Sequence, residues 1–420
     1  KVYESNKLVK SIRQYEAKFY GKQDISMIQD MNSLRNEMFL DAEKYWEKNK
    51  SESLFYLEAP TGSGKSNTAM NLSFRMQEAG QDKIFYVYPF NTLVEQNLKT
   101  LKKLLGQDQE VVSKVTVINS ITPIKADQKE LEMEQEYDSF FYQNALLDRQ
   151  FLNYPFILTT HVNLFDILFG NQRESLFGFF QLANSVIVLD EIQSYRNQIW
   201  SEIINFLKAA ADLMNIKVII MSATLPNLSY LTEEKNSAIH LISDRSKYFE
   251  HPVFSERVQL SYELIEEKIG IEELYQHICS HTSPDKGVLV EFIKKSTAYE
   301  FFELLCSEHS EYLKERQIFL LTGDDNVLER TRILKEIEKK REGAVLVATQ
   351  VIEAGVDIDM DIGYKDISKL DSEEQFLGRI NRSYKSKRNG KVYFFDMDSA
   401  EKIYKNDIRK NVEFTLKKSS

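Results

Sequence analysis

Short apolar segments rich in β-branched residues alternate with longer stretches of helical periodicity, in two successive blocks of the chain. This alternation is typical of α/β proteins, and strands that are apolar almost throughout indicate parallel sheets buried on both faces. We therefore predict an α/β fold with two mostly parallel sheets and helices on both faces of each. The predicted strands are residues 54–59, 83–89, 114–118, 155–160, 185–191 and 217–224 in the first block, and 286–293, 317–323, 344–350 and 391–396 in the second.

A polar segment that contains a proline, residues 243–259, separates the two blocks and predicts a linker. The first domain then spans residues 1–245, including a charged helical lead-in over residues 1–50. The second domain, with the linker, spans residues 246–420. Residues 125–150 are polar and predict a helical excursion between two strands of the first domain.

Composition adds a few limits. The 420 residues, of which 42% are hydrophobic, suffice for large cores. No apolar run reaches the length of a membrane span, and no signal peptide opens the sequence. The two cysteines, Cys279 and Cys306, have neither metal-ligand nor disulfide spacing. We expect a cytoplasmic protein without membrane contact.

The formal net charge of −10 argues at first against a nucleic-acid partner. Binding to nucleic acid depends, however, on a local basic groove rather than on the charge of the whole chain. Residues 379–391, "RINRSYKSKRNGK", concentrate basic side chains locally. On charge alone a solvated loop is the favoured interpretation of this segment.

The segment "APTGSGKS" (59–66) follows a predicted strand and precedes a helical pattern. It matches the phosphate-loop pattern G-x-x-x-x-G-K-[ST], except that Ala59 stands at the first glycine position. Gly62 and Gly64 allow backbone N–H groups to turn inward, toward phosphates held at the positive end of the helix. Lys65 would then reach the β- and γ-phosphates, and the hydroxyl of Ser66 would contact Mg²⁺.

The apolar run in "VIVLDEIQSY" (186–195) stops at two adjacent carboxylates. Taken alone, such a pair is usually a solvated strand end. Downstream of a phosphate loop the interpretation changes, because an Asp at the end of a neighbouring strand commonly helps to hold the ion. We expect Asp190 to hold Mg²⁺ and Glu191 to accept a proton from the attacking water.

The segment "QFLGRINRS" (375–383) places Gln375, Arg379 and Arg382 at positions i, i+4 and i+7. This spacing predicts that the three side chains share one face of a helix. Two arginines on such a face would neutralise charge on the γ-phosphate as it is transferred. A solvated basic helix is the simpler alternative.

Five segments occur in the order and approximate spacing of the motifs of superfamily 2 helicases, the DExD/H-box group. They are "APTGSGKS", "LDEIQ", "MSATLP" (221–226), "TQVIEAGVDID" (349–359) and "QFLGRINR". Within this group, "DEIQSY", "SLRNEMF" (33–39) and "VIEAGVDID" most resemble the helicase portion of the CRISPR-associated helicase–nuclease of type I systems. The resemblance implies two tandem RecA-like domains, a nucleotide site in the cleft between them, and ATP and Mg²⁺ as ligands.

The resemblance also implies roles for individual residues. The catalytic group is Glu191, Lys65, Arg379, Arg382 and Gln375, and the metal ligands are Ser66 and Asp190. The nucleotide-binding positions are Thr61, Gly62, Ser63, Gly64, Lys65, Ser66, Gly355, Asp357 and Arg35. Ser222 and Thr224 would couple hydrolysis to domain movement. The positions expected to hold a nucleic-acid strand are Pro89, Asn91, Thr92, Thr159, Thr160 and Thr349.

The chain departs from the family pattern at three places. Many relatives read adenine with an arginine and a glutamine three residues later, whereas Met38 stands three residues after Arg35. Residues 290–300 lack the expected Asn-Thr pair. Ser66 replaces a more usual threonine but keeps the hydroxyl.

The nuclease of that family needs clustered His and Asp ligands, and this sequence has no His-Asp dipeptide. His277 and His281 are four residues apart, as metal-binding pairs often are, but we expect His281 to lie in a loop. We therefore predict no nuclease activity from this chain and expect an HD nuclease as a separate domain or chain.

The functional hypothesis is an ATP-dependent helicase, active as a monomer, that moves on single-stranded DNA in CRISPR interference. The resemblance adds the guide-RNA surveillance complex, Cascade, as a partner, and 3′→5′ movement. Two alternatives stay open from the residues alone. One is an RNA-directed DEAD-box or DEAH-box helicase, and the other is a nucleic-acid-binding scaffold that uses ATP only as a structural ligand.

Overall fold

A computed structural model of the chain describes residues 3, 6–106, 112–119, 146–195, 199–225, 238–308, 312–314, 316–353, 356–382, 384, 390–398 and 416, without the side chain of Glu174. The chain divides into two compact units. The first comprises Lys1–Ile28, Asn32–Ala59 and Ser63–Arg245, and the second comprises Ser246–Ser420 with the short pieces Gln29–Met31 and Pro60–Gly62. No helix in the described residues is long and apolar enough to cross a membrane.

The first unit is built on a parallel sheet of seven strands. The strands are β1 (Leu54–Glu58), β2 (Lys83–Tyr88), β3 (Val115–Ile118), β4 (Phe156–Thr160), β5 (Ser185–Asp190), β6 (Lys217–Ser222) and β7 (Ile239–His240). Their order is β3-β4-β2-β5-β6-β1-β7, and all neighbours pair in parallel. Because all strands run the same way, their carboxyl ends meet at one edge of the sheet, where ligands of open α/β sheets bind.

Helices follow most of these strands. They are α1 (Lys7–Lys18), α2 (Met31–Lys48), α3 (Lys65–Glu78), α4 (Asn91–Leu105), α5 (His161–Phe169), α6 (Arg173–Gln181) and α7 (Trp200–Met214), with 3₁₀ turns at Ile25–Met27 and Ile192–Ser194. Phe85, Ile187 and Ile220 of the sheet pack with Leu164 of α5 and Ile204 of α7 in one core. Helix α3 lies against β5 and β6.

The lead-in helices are tied to the helix that follows the phosphate loop. The carboxylate of Glu43, on α2, accepts hydrogen bonds from Arg13 on α1 and from Asn71 on α3, both at 2.9 Å. Arg75, also on α3, lies 2.7 Å from the same carboxylate. One buried acidic side chain thus joins three helices.

The second unit is built on a parallel sheet of six strands. The strands are β8 (Val258–Leu264), β9 (Val288–Glu291), β10 (Gln317–Leu321), β11 (Ala344–Ala348), β12 (Ile362–Asp366) and β13 (Gly390–Phe395), in the order β10-β11-β9-β12-β13-β8. The helices are α8 (Ser246–Phe249), α9 (Pro252–Ser255), α10 (Ile271–His281), α11 (Lys295–Ser307), α12 (Val327–Lys339) and α13 (Leu370–Leu377), with a 3₁₀ turn at Gln350–Ile352. The predicted fold class, two mostly parallel sheets with helices around them, is confirmed.

A charged cluster lies in the core of the second unit. The ammonium of Lys365, on β12, is fully buried and pairs with the carboxylate of Glu291 at the end of β9. It also lies 3.3 Å from Glu353 and donates to the hydroxyl of Ser368. Burial alone would lower the pKa of Lys365, but the surrounding carboxylates raise it, so the amine stays charged.

Several segments differ from the sequence-based picture. The predicted linker, residues 243–259, contains α8 and α9, and Tyr248 within it is buried. Strands β7, β8 and β12 were not predicted, because none of them is a continuous apolar run; the residues of β8 alternate in polarity. The prediction that His281 lies in a loop is wrong, because α10 continues through that residue. Most of the predicted excursion, residues 125–150, lies outside the described residues.

Candidate functional site

The phosphate loop connects β1 with α3. Gly62 and Gly64 both have positive φ, +83° and +93°, which an L-amino acid with a side chain adopts only with strain. Gly64 caps the amino end of α3, so the following N–H groups point out of the helix end. The ammonium of Lys65 donates to the carbonyl oxygen of Ala59 at 2.8 Å, across the loop.

This loop suits a polyphosphate ligand. The hydroxyl of Ser63 is buried and has no hydrogen-bond partner among the described residues. A buried hydroxyl without a partner is costly unless a ligand satisfies it. The helix end adds a partial positive charge at the same place. Thr61, Gly62, Ser63, Gly64, Lys65 and Ser66 are therefore the residues that would hold the phosphates.

The acidic pair stands at the carboxyl end of β5, between β2 and β6. Asp190 is buried, and burial together with the neighbouring Glu191 raises the pKa of Asp190, while the Lys65 ammonium acts in the opposite direction. Glu191 leaves the strand in the left-handed conformation, with φ of +50°. A buried carboxyl beside a lysine and a second carboxylate is the setting in which a divalent cation replaces a proton. Asp190 and Ser66 are the residues that would hold Mg²⁺.

A hydrogen-bonded relay runs from the acidic pair to the end of β6. The side-chain amide of Gln193 donates to the carboxylate of Glu191. The hydroxyl of Ser222 donates to the carbonyl oxygen of Gln193 at 2.6 Å, and the backbone N–H of Thr224 donates to Ser222 at 3.0 Å. The relay thus joins Glu191 to both positions that were predicted to couple hydrolysis to movement.

Aromatic residues that were not predicted surround the acidic pair. Tyr86 and Tyr195 are fully buried, and the hydroxyl of Tyr195 donates to the backbone oxygen of Asp190 at 3.2 Å. The ring of Tyr195 stacks on His161 at a centroid distance of 4.6 Å. Burial lowers the pKa of His161, so its imidazole is neutral near pH 7. The only sequence signal for these aromatic residues is the tyrosine that ends "DEIQSY".

Arg35 lies against the phosphate loop. A side chain at Gly64 would meet the methylenes of Arg35 at 3.7 Å, and the guanidinium donates to Asn32 at 3.1 Å. Met38, which stands at the expected glutamine position, is buried in the core. Met38 therefore offers no polar group to the adenine base of a nucleotide, whereas Arg35 lies beside the phosphate loop.

The predicted nucleic-acid contacts of the first unit lie at the carboxyl ends of β2 and β4. Pro89 follows β2, and Asn91 and Thr92 begin α4. The side-chain oxygen of Asn91 is buried without a hydrogen-bond partner among the described residues. Thr160 immediately precedes α5. The hydroxyl of Thr159, by contrast, donates to the backbone oxygen of Ile118 at 2.6 Å and so stabilises the sheet edge.

The prediction that Gln375, Arg379 and Arg382 share one helix face is wrong. Helix α13 ends at Leu377, so only Gln375 is helical. After Leu377 the backbone continues as a turn, in which the N–H of Ile380 donates to the oxygen of Leu377, and Ile380 forms a parallel bridge with Met360. The arginines follow a turn and not a helical repeat.

The two arginines instead bind the loop that follows β11. Arg379 is buried and donates to the backbone oxygens of Ile352 and Glu353, at 3.0 and 2.6 Å. Arg382 lies 2.8 Å from the carboxylate of Asp357. The loop after β11 and the arginine-bearing segment after α13, which were predicted as separate motifs, are therefore held together within the second unit.

The remaining predicted positions of the second unit are spread around this loop. Thr349 is buried at the end of β11, and its N–H donates to Leu321 at 3.2 Å. Asp357 is exposed apart from its contact with Arg382. Gly355 lies outside the described residues. Sequence reasoning missed the buried Lys365 cluster, which holds Glu353 of the same loop.

Two family models match the chain. Residues 41–231 match the model described as DEAD/DEAH box helicase. Residues 288–385 match the model described as CRISPR-associated nuclease/helicase Cas3, C-terminal. The CRISPR-associated nuclease/helicase Cas3 of Methanothermobacter thermautotrophicus is 25% identical to this chain over 370 residues, which cover 81% of this chain and 40% of that protein.

Solved structures of low sequence identity share the fold. The helicase Lhr of Mycobacterium smegmatis, bound to ssDNA and AMP-PNP, has a TM-score of 0.57 at 15% identity, covering 89% of this chain and 49% of that one. A chain of a CRISPR RNA-guided surveillance complex in a pre-nicking state has a TM-score of 0.59 at 16% identity, covering 87% of this chain and 46% of that one. This chain spans less than half the length of each of these three relatives.

Proposed function

We propose that this chain, as a member of the superfamily 2 (DExD/H-box) helicases and the helicase portion of a Cas3-like protein, hydrolyses ATP. We further propose that it uses this hydrolysis to move along single-stranded DNA. In this proposal Lys65 and the backbone amides of the phosphate loop bind the phosphates. Ser66 and Asp190 hold Mg²⁺, which neutralises phosphate charge when bound. Glu191 accepts the proton of the attacking water.

The observation that carries the proposal is the connection of Glu191 to the end of β6. Gln193 holds Glu191 and accepts a hydrogen bond from Ser222, whose backbone oxygen accepts one from the N–H of Ala59 at 3.4 Å. The hydrolytic carboxylate, the relay and the phosphate loop therefore form one bonded unit. A scaffold that uses ATP only as a structural ligand requires neither this carboxylate nor its connection.

The relay predicts that Gln193 and Ser222 act together. In a double-mutant cycle with Gln193→Leu and Ser222→Ala, we expect DNA-stimulated turnover to show a coupling free energy of about 0.5–3 kcal/mol, because each variant removes the same hydrogen bond. The measurement is kcat for ATP hydrolysis at saturating single-stranded DNA. Asn205→Ala, on α7, is the matched control and is expected to combine additively with Ser222→Ala. Additive losses in the Gln193/Ser222 pair would contradict a shared role.

The choice of nucleic acid rests on the relationship to CRISPR-associated nuclease/helicases and on the likeness in fold to a helicase bound to ssDNA. We expect ATP hydrolysis to rise at least about tenfold with single-stranded DNA, and much less with single-stranded RNA or blunt duplex DNA, at fixed salt. Steady-state turnover with each polymer measures this. Equal or greater stimulation by RNA would favour an RNA helicase, and no stimulation by any polymer would favour a scaffold.

The biological setting follows from the same relationship. We place this motor in CRISPR interference, moving 3′→5′ on target DNA beside a guide-RNA surveillance complex, as a monomer in the cytoplasm. An HD nuclease, as another domain or chain, would cut the strand that the motor exposes. Support comes from the Cas3 family match and from the fold shared with a chain of a surveillance complex. Duplexes with single-stranded tails of opposite polarity test the direction of movement.

A further inference from the structure

Three side chains with metal-binding atoms meet on the second unit. Glu263 lies on β8, and His277 and His281 lie one turn apart on α10. One ring nitrogen of each histidine and one oxygen of Glu263 lie within 4.8 Å of one another. The two imidazoles stack with their centroids 3.8 Å apart, so they face the same side of the helix.

The far side of each imidazole is already engaged. The Nδ1 atom of His281 lies 3.0 Å from the backbone oxygen of His277 and 2.9 Å from the hydroxyl of Ser280. The Nδ1 atom of His277 lies 3.1 Å from the hydroxyl of Tyr364. Metal-bound histidines are oriented in this manner, with the second nitrogen held by a carbonyl or another polar group. The Nε2 atoms are left as the ligating nitrogens.

The third group is correctly placed for the same cation. The carboxylate of Glu263 lies 3.1 Å from Nε2 of His277. Ligands of a tetrahedral ion with bonds of about 2.0–2.1 Å are separated by roughly 3.3 Å, which is close to this distance. The two rings are parallel to within 7°, so one ion cannot lie in both ring planes until the His281 ring rotates. Glu263 and His281 are both exposed, which leaves their side chains room to rotate toward the ion.

A rigid surface supports the cluster. Tyr364 on β12 and Tyr393 on β13 are buried and stacked, with centroids 4.8 Å apart. The ring of His277 meets the face of Tyr393 edge-on at 4.8 Å. The ammonium of Lys391 lies 4.4 Å above the same tyrosine, on the strand next to β8, and supplies the one opposing charge that we identify there among the described residues.

We propose that Glu263, His277 and His281 form a binding site for a transition-metal cation, most suitably Zn²⁺, which links the edge strand β8 to helix α10. Two imidazoles and one carboxylate are a ligand set that zinc sites use, with water in the fourth position. Mg²⁺ and Ca²⁺ prefer oxygen ligands and are not expected to bind here. The cation takes no part in the proposed ATP hydrolysis, and its role is structural.

The test is calorimetric titration of the intact chain with ZnCl₂, without nucleotide and with excess Mg²⁺ to occupy carboxylate sites. We expect one Zn²⁺ per chain, and Co²⁺ should give the visible absorption of a tetrahedral complex. His281→Gln and Glu263→Gln change exposed side chains and should each weaken binding by at least about tenfold. His240→Gln removes an exposed histidine of the first unit and should leave binding unchanged. Circular dichroism without metal confirms that each variant is folded.

Equal Zn²⁺ affinity in wild type, His281→Gln and Glu263→Gln would overturn the proposal, as would the absence of any binding by the wild type. Addition of Zn²⁺ should also raise the melting temperature of wild type and His240→Gln but not that of the two ligand variants. Because neither readout involves ATP or DNA, failure of this site and failure of the proposed helicase activity are distinguishable.

Discussion

Glu191→Gln is expected to reduce ATP turnover by about 10²–10⁴-fold, the range in which a positioned general base contributes to proton transfer. Glutamine keeps the size of the side chain and still accepts the hydrogen bond from Gln193, but it cannot take a proton from water. The phosphate loop and Asp190 are unchanged, so nucleotide affinity should stay close to that of wild type. Turnover at saturating ATP and single-stranded DNA, with nucleotide binding measured separately, tests both expectations.

Glu202→Gln is the matched control for this prediction. Glu202 is an exposed residue in the first turn of α7, and it carries the same chemical change away from the site. We expect its turnover to equal that of wild type. If Glu191→Gln retained wild-type turnover, Glu191 would not be the base, and the proposal of ATP-driven movement would lose the residue on which it depends most.

Lys365→Met is expected to destabilise the second unit by about 3–5 kcal/mol, because removing one partner of a buried ion pair leaves the other uncompensated. The side chains of both Lys365 and Glu291 are fully buried, and burial already raises the pKa of Glu291 while Lys365 opposes that shift. Without the ammonium, Glu291 must take up a proton to stay in the core. Because Glu353 also contacts Lys365, the loop that Arg379 binds should loosen as well.

Hydrogen exchange followed by mass spectrometry is the appropriate measurement, since it resolves the two units. Both tryptophans, Trp46 and Trp200, lie in the first unit, so tryptophan fluorescence would not report on the second. Peptides from β9 and β12 should lose protection, while peptides from β5 keep it. Lys339→Met, which breaks an exposed pair with Glu336, should change exchange little. Unchanged protection of β9 and β12 in Lys365→Met would contradict a stabilising role of the cluster.

The features that the sequence predicted well depend on local patterns. The buried strands are continuous apolar runs, and the phosphate loop is a contiguous segment whose glycines have the expected positive φ. Asp190 and Glu191 follow directly from the end of such a run. In each case neighbours in the chain are also neighbours in space, so a pattern in the sequence determines the geometry.

The features that the sequence predicted poorly depend on distant partners. The helical spacing of Arg379 and Arg382 was misleading because α13 ends at Leu377, after which Ile380 pairs with Met360. His281 was assigned to a loop on the strength of the polar residues after it, although the helix includes it. Lys365 gave no signal, and "DEIQSY" did not reveal the contacts of Gln193 and Tyr195, because the partners of all three residues come from other strands and helices. Contacts across a sheet leave no periodicity in one sequence.

The contacts of Glu43 bear on how this chain can be shortened. Glu43, on α2, contacts both α1 and α3, so the residues ahead of β1 support the helix that follows the phosphate loop. A shortened version that starts at the first strand would retain the five segments shared with superfamily 2 helicases and yet leave Asn71 and Arg75 without this partner. The smallest portion of the chain that keeps all of these contacts therefore extends upstream of the phosphate loop, back to the first helix.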